Sequence, residues 1–486
     1  LLHREGFDDD GSEPPPMFVL ERAWVCAFSK RYREALRKDN VLDYGSLLLE
    51  TLRLFRLHPP IQEHFQRLYR YVCVDEYQDT NQVQDLILRS LCPLPRPNLF
   101  VVGDEDQSLY GWNGANPSRL RVLKRDFAMT ELQLPMSFRC PPSITTLANR
   151  LIAHNDERCP ERADLRSSHP RLASVRCVYG SGFDSFEEEA EWVAASIAER
   201  QTPTDCVVLA RRRKLVQEVA RALEAKGLKT YQPEPRSKFV SPLVRFAQAS
   251  LNLALKPQEL RFLEALAQAY VDLSGDTIDP EQVAAVAGVS GDSLLATFAS
   301  VGLGLALKPE QRALEALRDE LLAGKVQSFE KRLFALAKGG TRRSSSSEAE
   351  AAEEREEVEI WEDLARKVRR EQGDDPSLAT FLQEMALKPK TRPRRADEVP
   401  CLTVHQAKGG GYPHVYLVGM VEEELPSFRA LHSEDAAAIE EERRVCFVAI
   451  TRAESSLTMT YHTRFQRWSR QPSRFLFEMG PKVDEA

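Results

Sequence analysis

The chain contains no run of 18 apolar residues, so no helix long enough to span a membrane is expected from it. Its opening stretch, LLHREGFDDDGSEPPP, lacks the apolar centre and small-residue cleavage site of a secretory signal, so export by that route is not supported. An initiating methionine is also missing. Leu1 stands first, and the expectation is that the true beginning lies upstream. Cysteine is sparse and scattered: Cys26, Cys73, Cys92, Cys140, Cys159, Cys177, Cys206, Cys401 and Cys446 are odd in number and include no C-x-x-C pair. That spacing suggests neither a zinc site nor a disulfide framework, and it fits a reducing cytoplasm. Cys73, Cys177, Cys206, Cys401 and Cys446 lie in or beside apolar runs and are expected to be small buried hydrophobes. Positive charge is not in excess either. The 66 Lys and Arg face 73 Asp and Glu, a net charge of −7, which excludes a globally basic nucleic-acid binder but leaves room for a local basic channel.

What is present is an ordinary globular composition, 42% apolar and 29% charged, over 486 residues. That length suits about three domains. Short apolar, β-rich runs alternate with amphipathic helical stretches in two blocks. The first block holds residues 71–74 and 99–102, each followed closely by acidic side chains. The second holds 175–179, 206–210, 402–404, 415–418 and 457–461. Continuous apolar runs bounded by turn or acidic residues are the pattern of strands buried on both faces. With helices expected over 62–69 and 187–198, the reading is two parallel α/β sheets. Between 244 and 397 only helical periodicity remains (Val244, Ala247, Leu251, Leu255, then Leu260, Leu263, Leu266), so a helical insertion interrupts the second block. Inside it, 339–357 (GGTRRSSSSEAEAAEEREE) is polar and of low complexity, a loop leading into a helix. Residues 388–395 (KPKTRPRR) carry five cations in eight positions and fit a solvated linker or a phosphate-contacting strip equally well.

Two segments carry chemistry. In YVCVDEYQDTNQ, residues 71–82, a strand delivers Asp75 and Glu76 to its C-terminal end, where ligands of open α/β sheets bind. There Asp75 suits a magnesium ion bridging nucleotide phosphates, and Glu76 suits polarising an attacking water. Asp-Glu alone is also an ordinary helix cap; D-E-x-Q-D-T-N is far more restrictive. In VVGDEDQSLYGWNGA, residues 101–115, a second strand ends in acids, then Gln107, then Tyr110 and Trp112 in a glycine-interrupted loop. Gln107 is placed to sense a phosphate or water, and the two rings to stack on unpaired bases. Packing in a core is the ordinary fate of a tryptophan, but Gly111, Asn113 and Gly114 make this one a loop residue.

These segments resemble motifs II and III of UvrD/Rep-type superfamily 1 DNA helicases, and other parts of the chain follow in order. LDYGSLL (42–48) resembles the family's D-F-D-D-L-L segment, and LQLPMSFRCPPSI (132–144) resembles motif IV. LTVHQAKGGGYPHVYLVGM (402–420) resembles motif V, and EEERRVCFVAITRAESSL (440–457) motif VI. The resemblance implies that Arg139 and Arg452 are the γ-phosphate arginines, that Phe138 lies against adenine and that Gly409 is at the nucleotide. It places His405 near DNA and nucleotide, although a core histidine is as common, and Lys408 on a phosphate or at a helix cap. Without the family match, Arg139 would serve equally well as a surface ion-pair residue. The implied fold is α/β: two RecA-like parallel-sheet domains, the first incomplete, with inserted all-helical subdomains. Its expected segments are 1–26 (tail of a helical insertion), 27–130 (first RecA-like domain), 131–243 (second, first part), 244–397 (helical insertion) and 398–486 (second, remainder). The implied activity is ATP- and Mg2+-dependent 3′-to-5′ movement on single-stranded DNA and unwinding at duplex junctions, in the cytoplasm and without a membrane.

Three departures qualify this. G-x-x-x-x-G-K-[ST] occurs nowhere in the sequence, so the phosphates lack their backbone cradle and lysine. Gly411 stands where motif V carries a glutamate expected at the nucleotide sugar, and Asn113 where several relatives have arginine. The chain as given is therefore expected to hydrolyse ATP poorly alone. The competing expectations are a non-hydrolysing DNA-binding or scaffold protein, and one half of a split helicase completed by another polypeptide that supplies the P-loop.

Overall fold

The computed structural model describes residues 19–38, 41–93, 98–168, 178–234, 238–305, 311–338, 348–465 and 468–480. The chain forms two compact units, Leu1–Leu228 with Cys401–Ala486, and Lys229–Pro400. Residues 1–18 of the expected N-terminal tail, residues 175–177 of the expected strand 175–179 (Cys177 among them) and residues 339–347 of the low-complexity stretch lie outside the described residues.

The first unit opens with helices Val19–Lys38, Tyr44–Leu57 and Pro59–Leu68. Asp43 starts the second by accepting the Ser46 backbone N–H at 2.6 Å, and proline at the first position starts the third. Strands β1 (Val72–Val74) and β2 (Leu99–Val101) pair in parallel. Helix Gln82–Leu91 crosses between them, its N-terminus closed reciprocally by Asn81 and Gln84. Val72, Val74, Leu99 and Val101 turn one face of this pair onto Tyr77, Leu88, Cys92 and Leu123. The alternation of a strand sends Cys73 and Phe100 to the other face, which is open among the described residues. Cys73 is thus exposed, not the buried hydrophobe expected, and among the described residues the first sheet is buried on one face only. An apolar run specifies burial but does not supply the layer that would cover its second side.

After the short parallel pair β3 (Met136–Ser137) and β4 (Arg166–Ser167) come β5 (Val178–Phe183), β6 (Cys206–Ala210), β7 (Lys229–Tyr231), β8 (Glu398–Thr403), β9 (Tyr412–Leu417) and β10 (Ala453–His462). These six make a parallel sheet in the order β5-β10-β9-β6-β8-β7. A small hairpin of β11 (Arg464–Phe465) and β12 (Trp468–Ser469) follows. All five residues of β6, CVVLA, are buried. Helices Phe186–Ala198, Arg213–Ala225 and Ala437–Ile450 pack on this sheet, and Cys206, Cys401 and Cys446 are buried within the unit. A buried network ties its strand ends: Glu189 accepts the Gly419 N–H at 2.7 Å and the Thr460 hydroxyl at 2.6 Å, and pairs with His462 Nδ1 at 2.6 Å.

The second unit is helical apart from β7 and the start of β8. Its helices are Pro242–Leu255, Leu260–Ser274, Pro280–Ser290, Leu294–Leu305, Gln311–Ala316 (running on into a π turn), Val326–Lys338, Glu348–Gln372 and Leu378–Leu387. Trp361 anchors the core between Phe239 and Phe334, and its indole N–H donates to buried Glu330 at 2.7 Å. The cations of 388–395 are engaged within this unit. Lys388 pairs with Glu371, Arg392 with Glu398 and Arg395 with Glu359; Arg394 donates to the Glu398 carbonyl, and the Lys390 ammonium lies over the Phe239 ring. No single described helix is long and apolar enough to cross a membrane.

Candidate functional site

At the C-terminal end of β1, Asp75 uses one carboxylate oxygen to accept the Glu76 backbone N–H at 2.9 Å. Glu76 sits at φ 51°, ψ 40°, a left-handed conformation that costs a non-glycine residue energy and is characteristic of functional turns. Its carboxylate accepts the Gln78 side-chain N–H at 2.5 Å, while the Gln78 carbonyl oxygen accepts the Asp104 backbone N–H at 2.8 Å. One buried amide therefore ties the acidic end of β1 to the acidic end of β2. At that second end the Gln107 side chain donates to Asp104 at 2.7 Å. Asp104 and Asp106 are also held by Arg162, and Asp106 by Arg158, both from the segment after helix Pro142–Ile152. Burial and the neighbouring Asp104 push the Asp106 carboxyl upward, against the two arginines.

Opposite these acids stand two guanidiniums. Arg452 is only 2% exposed and donates to the Val448 carbonyl at 3.0 Å, the Gly410 carbonyl at 3.2 Å and the Thr451 hydroxyl at 3.2 Å. Arg139 donates to the Thr451 carbonyl at 3.5 Å. Neither forms an ion pair among the described residues. Burial first, and the charge of Arg139 second, bring Arg452 down to about 10, with Glu76 and Asp104 acting the other way. Two unneutralised cations held together are stabilised by a bound anion. Gly409 has φ +82°, which a side chain would strain, and Phe138, next to Arg139 in sequence, is 77% exposed.

Lys408 lies inward. Its ammonium donates to Asp79 and, at 2.8 Å, to the Gln107 carbonyl, and stands 3.8 Å from Glu76. Its side chain is almost buried, so any phosphate contact would have to displace these partners. The aromatic group is next to it. Tyr110 is half-buried, with the Lys408 ammonium 5.4 Å from its ring centre, His405 at 6.1 Å and Trp112 at 6.2 Å. Trp112 is 75% exposed in the turn Gly111–Asn113. The turn is fastened from afar: the Gly111 N–H donates to Glu441 at 3.0 Å, and a β-carbon at 111 would stand 2.7 Å from that carboxylate. Glycine is needed there for close approach.

All of the expected site residues that belong to the first α/β block and to motifs IV to VI thus fall within one unit. Gln78, Asp79, Arg158, Arg162, Glu441 and Glu454 are the positions that sequence reasoning did not single out. Gln78 and Asp79 sit inside D-E-Y-Q-D-T-N and carried that signal. The others act across separations such as the 330 residues between Gly111 and Glu441, for which one sequence holds no local cue.

Strand ends bearing acids, faced by Arg139 just after β3 and Arg452 just before β10, together with the six-stranded parallel sheet fit a RecA-like α/β protein. The UvrD/REP helicase N-terminal domain matches residues 19–128, and the UvrD-like helicase C-terminal domain matches residues 307–464. The chain belongs to the UvrD/Rep-type superfamily 1 helicase family. Among curated proteins it is similar to the "ATP-dependent DNA helicase PcrA" of Staphylococcus aureus, with 28% identity over 95% of this chain and 65% of that protein. The protein of the same name from Staphylococcus epidermidis shows 27% identity over 94% of this chain and 64% of that protein. The chain thus spans about 65% of the length of the curated relatives it matches.

Proposed function

We propose that this chain is the DNA-gripping and γ-phosphate-sensing portion of an ATP-dependent DNA helicase. The observation that carries the reading is the pair Arg139 and Arg452, two cations without carboxylate partners among the described residues, facing the acids of β1 and β2. A phosphoryl group in transfer needs positive charge aimed at it, and such arginines contribute about 10³–10⁵ in rate. Glu76 polarises the attacking water and Gln107 orients it. Asp75, with one oxygen left for a ligand, fits a magnesium ion held chiefly by nucleotide phosphates; such an ion would neutralise charge developing on those phosphates. Phe138 and Gly409 border the nucleotide, while Tyr110, Trp112, His405 and Lys408 form the DNA-side group. The phosphate cradle comes from residues outside this sequence, in the same polypeptide or in a partner. By family resemblance, movement is 3′ to 5′ on single-stranded DNA with unwinding at duplex junctions, in the cytoplasm.

The test joins this chain to a family segment that supplies the P-loop and measures DNA-stimulated ATP hydrolysis. Glu76→Gln should retain ATP binding while turnover falls by roughly 10²–10⁴-fold, as for loss of a general base. Turnover of that variant at the parental rate would show the acidic pair to be a helix cap.

A further inference from the structure

We infer that Arg162 is a positioning residue for Gln107, acting through Asp104 to turn the amide so that its carbonyl oxygen, and not its N–H, is offered to the attacking water. The inference rests on the nucleotide reading above. Gln107 is held at three points. Its backbone N–H donates to the Asp104 carbonyl at 2.9 Å, and its backbone carbonyl accepts the Lys408 ammonium at 2.8 Å. Its side-chain N–H donates to Asp104 Oδ2 at 2.7 Å. The other oxygen of Asp104 accepts from Arg162 at 2.5 Å and from the Asp106 N–H at 3.0 Å. Arg162 also donates to Asp106 at 2.9 Å, so one guanidinium grips both the cap and the middle of the turn Glu105–Gln107. It does so from the segment after helix Pro142–Ile152, on the stretch of chain that carries Arg139, whereas Asp104 and Gln107 follow β2.

Chemistry fixes the sense of the amide. A carboxylate paired with a guanidinium only accepts, so Gln107 must turn its N–H to Asp104 and its oxygen away. That oxygen accepts no hydrogen bond among the described residues, and the side chain is partly exposed. An oxygen facing water takes one of its protons and leaves a lone pair to be aimed at phosphorus. An N–H in the same place would occupy that lone pair. Arg162 is the one ion-pair partner of Asp104 among the described residues. Without it the carboxylate is free to leave the amide for solvent, and nothing then selects between the two faces of Gln107.

Two measurements test this. In the 486-residue chain, the Gln107 side-chain amide is followed by NMR with isotope-labelled glutamine, its resonance assigned by its loss in Gln107→Ala. Arg162→Ala should move that resonance to the position of a solvated glutamine, and Arg162→Lys, which can still donate to Asp104, should move it less. In the chain joined to the P-loop segment, Arg162→Ala should lower kcat about tenfold, near the smallest cost of a hydrogen bond to a charged group, with KM for ATP within about twofold of the parent. Arg162→Lys should recover most of that loss. With Gln107→Ala already in place, Arg162→Ala should cost no more than about twofold, since the group it acts through is gone. Asp104→Asn keeps the shape but takes the acceptor from either Arg162 or Gln107, and should show the same loss and the same dependence on Gln107, which keeps the test decisive if Arg162→Ala does not fold. An equal cost in both backgrounds overturns the inference, as does an unmoved resonance, a parental kcat or a rise in KM instead. The nucleotide reading survives each of those results. It fails, and the inference with it, if Glu76→Gln hydrolyses ATP at the parental rate.

Discussion

His405 illustrates how much a single buried ring is constrained. Burial lowers its pKa below the ordinary histidine range, and the nearby Arg211 and Lys408 act in the same direction. Glu442 and the Leu109 backbone oppose them without reversing the sign. The imidazole is therefore neutral at pH 7 and cannot hold a DNA phosphate by charge; its use is as a flat polar surface packed edge-on to Tyr110. The linkage has a definite sign. An unfolded chain takes up this proton first, near pH 6.5, so the ring's contribution to stability is complete above that value and is lost as the pH falls below it. NMR titration of the His405 Cε1 proton should give a midpoint below 6.5, and His405→Gln should blunt the acid-side loss of stability. A midpoint above the reference value would restore a charged role at the DNA.

At the scale of elements, the helix Ala437–Ile450 does more than cover the sheet. Near its start Glu440 accepts the Asp156 N–H at 2.8 Å, and Glu441 fastens the Trp112 turn. Glu442 pairs with Arg211 and Arg443 with Glu478, and the helix ends at Thr451 with Arg452 next. One rigid rod therefore joins the Trp112 turn to Arg452, the arginine proposed to face the γ-phosphate. Glu441→Ala should free the turn. Single-stranded DNA binding should weaken by about 3–10-fold, the range of an ordinary hydrogen bond, with ATP affinity unchanged. Fluorescence anisotropy of a labelled oligonucleotide measures it, and unaltered DNA affinity would detach the rod from the turn. Burial raises the Glu441 pKa, so its charged form is the strained one and the contact should weaken on acidification, when the acceptor is neutralised. Much of this element was legible: V-A-I-T-R-A placed Arg452, and the run at 206–210 coincides with β6 because five apolar residues between polar ends have few alternatives to a buried strand. β7 was missed because K-T-Y is a short, polar edge strand without that signature. The partners of Glu441 and Lys408 were not legible because topology, not spacing, brings them together. Cys73 was misjudged for a related reason, since its run says nothing about which layers are present.

Over the whole molecule the charge balance limits how DNA can be held. The chain carries 73 acidic and 66 basic residues, and the cations with the densest local sequence, 388–395, are occupied by their own unit's carboxylates, a carbonyl and a ring. Arg158, Arg162, Arg211 and Arg443 in the first unit are likewise paired, and Lys408 is turned inward to Asp79. These cations are already engaged and are poorly placed to release counterions from a DNA backbone, whereas Trp112 offers an exposed ring fixed in a turn. Binding to single-stranded DNA should thus depend more on stacking than on charge. The plot of log affinity against log salt should be shallower than about −3, the value for about four neutralised phosphates at roughly 0.7 each. Trp112→Ala should cost about 1–3 kcal/mol with little sequence preference, since every base has a face to stack. It should leave the salt slope unchanged, because the indole carries no charge. Titrations of an oligothymidylate against the parent and Trp112→Ala proteins at several salt concentrations separate the two contributions. A slope much steeper than −3 that survives the substitution would mean that a basic track elsewhere on the chain holds the strand, and that the aromatic turn is only its neighbour.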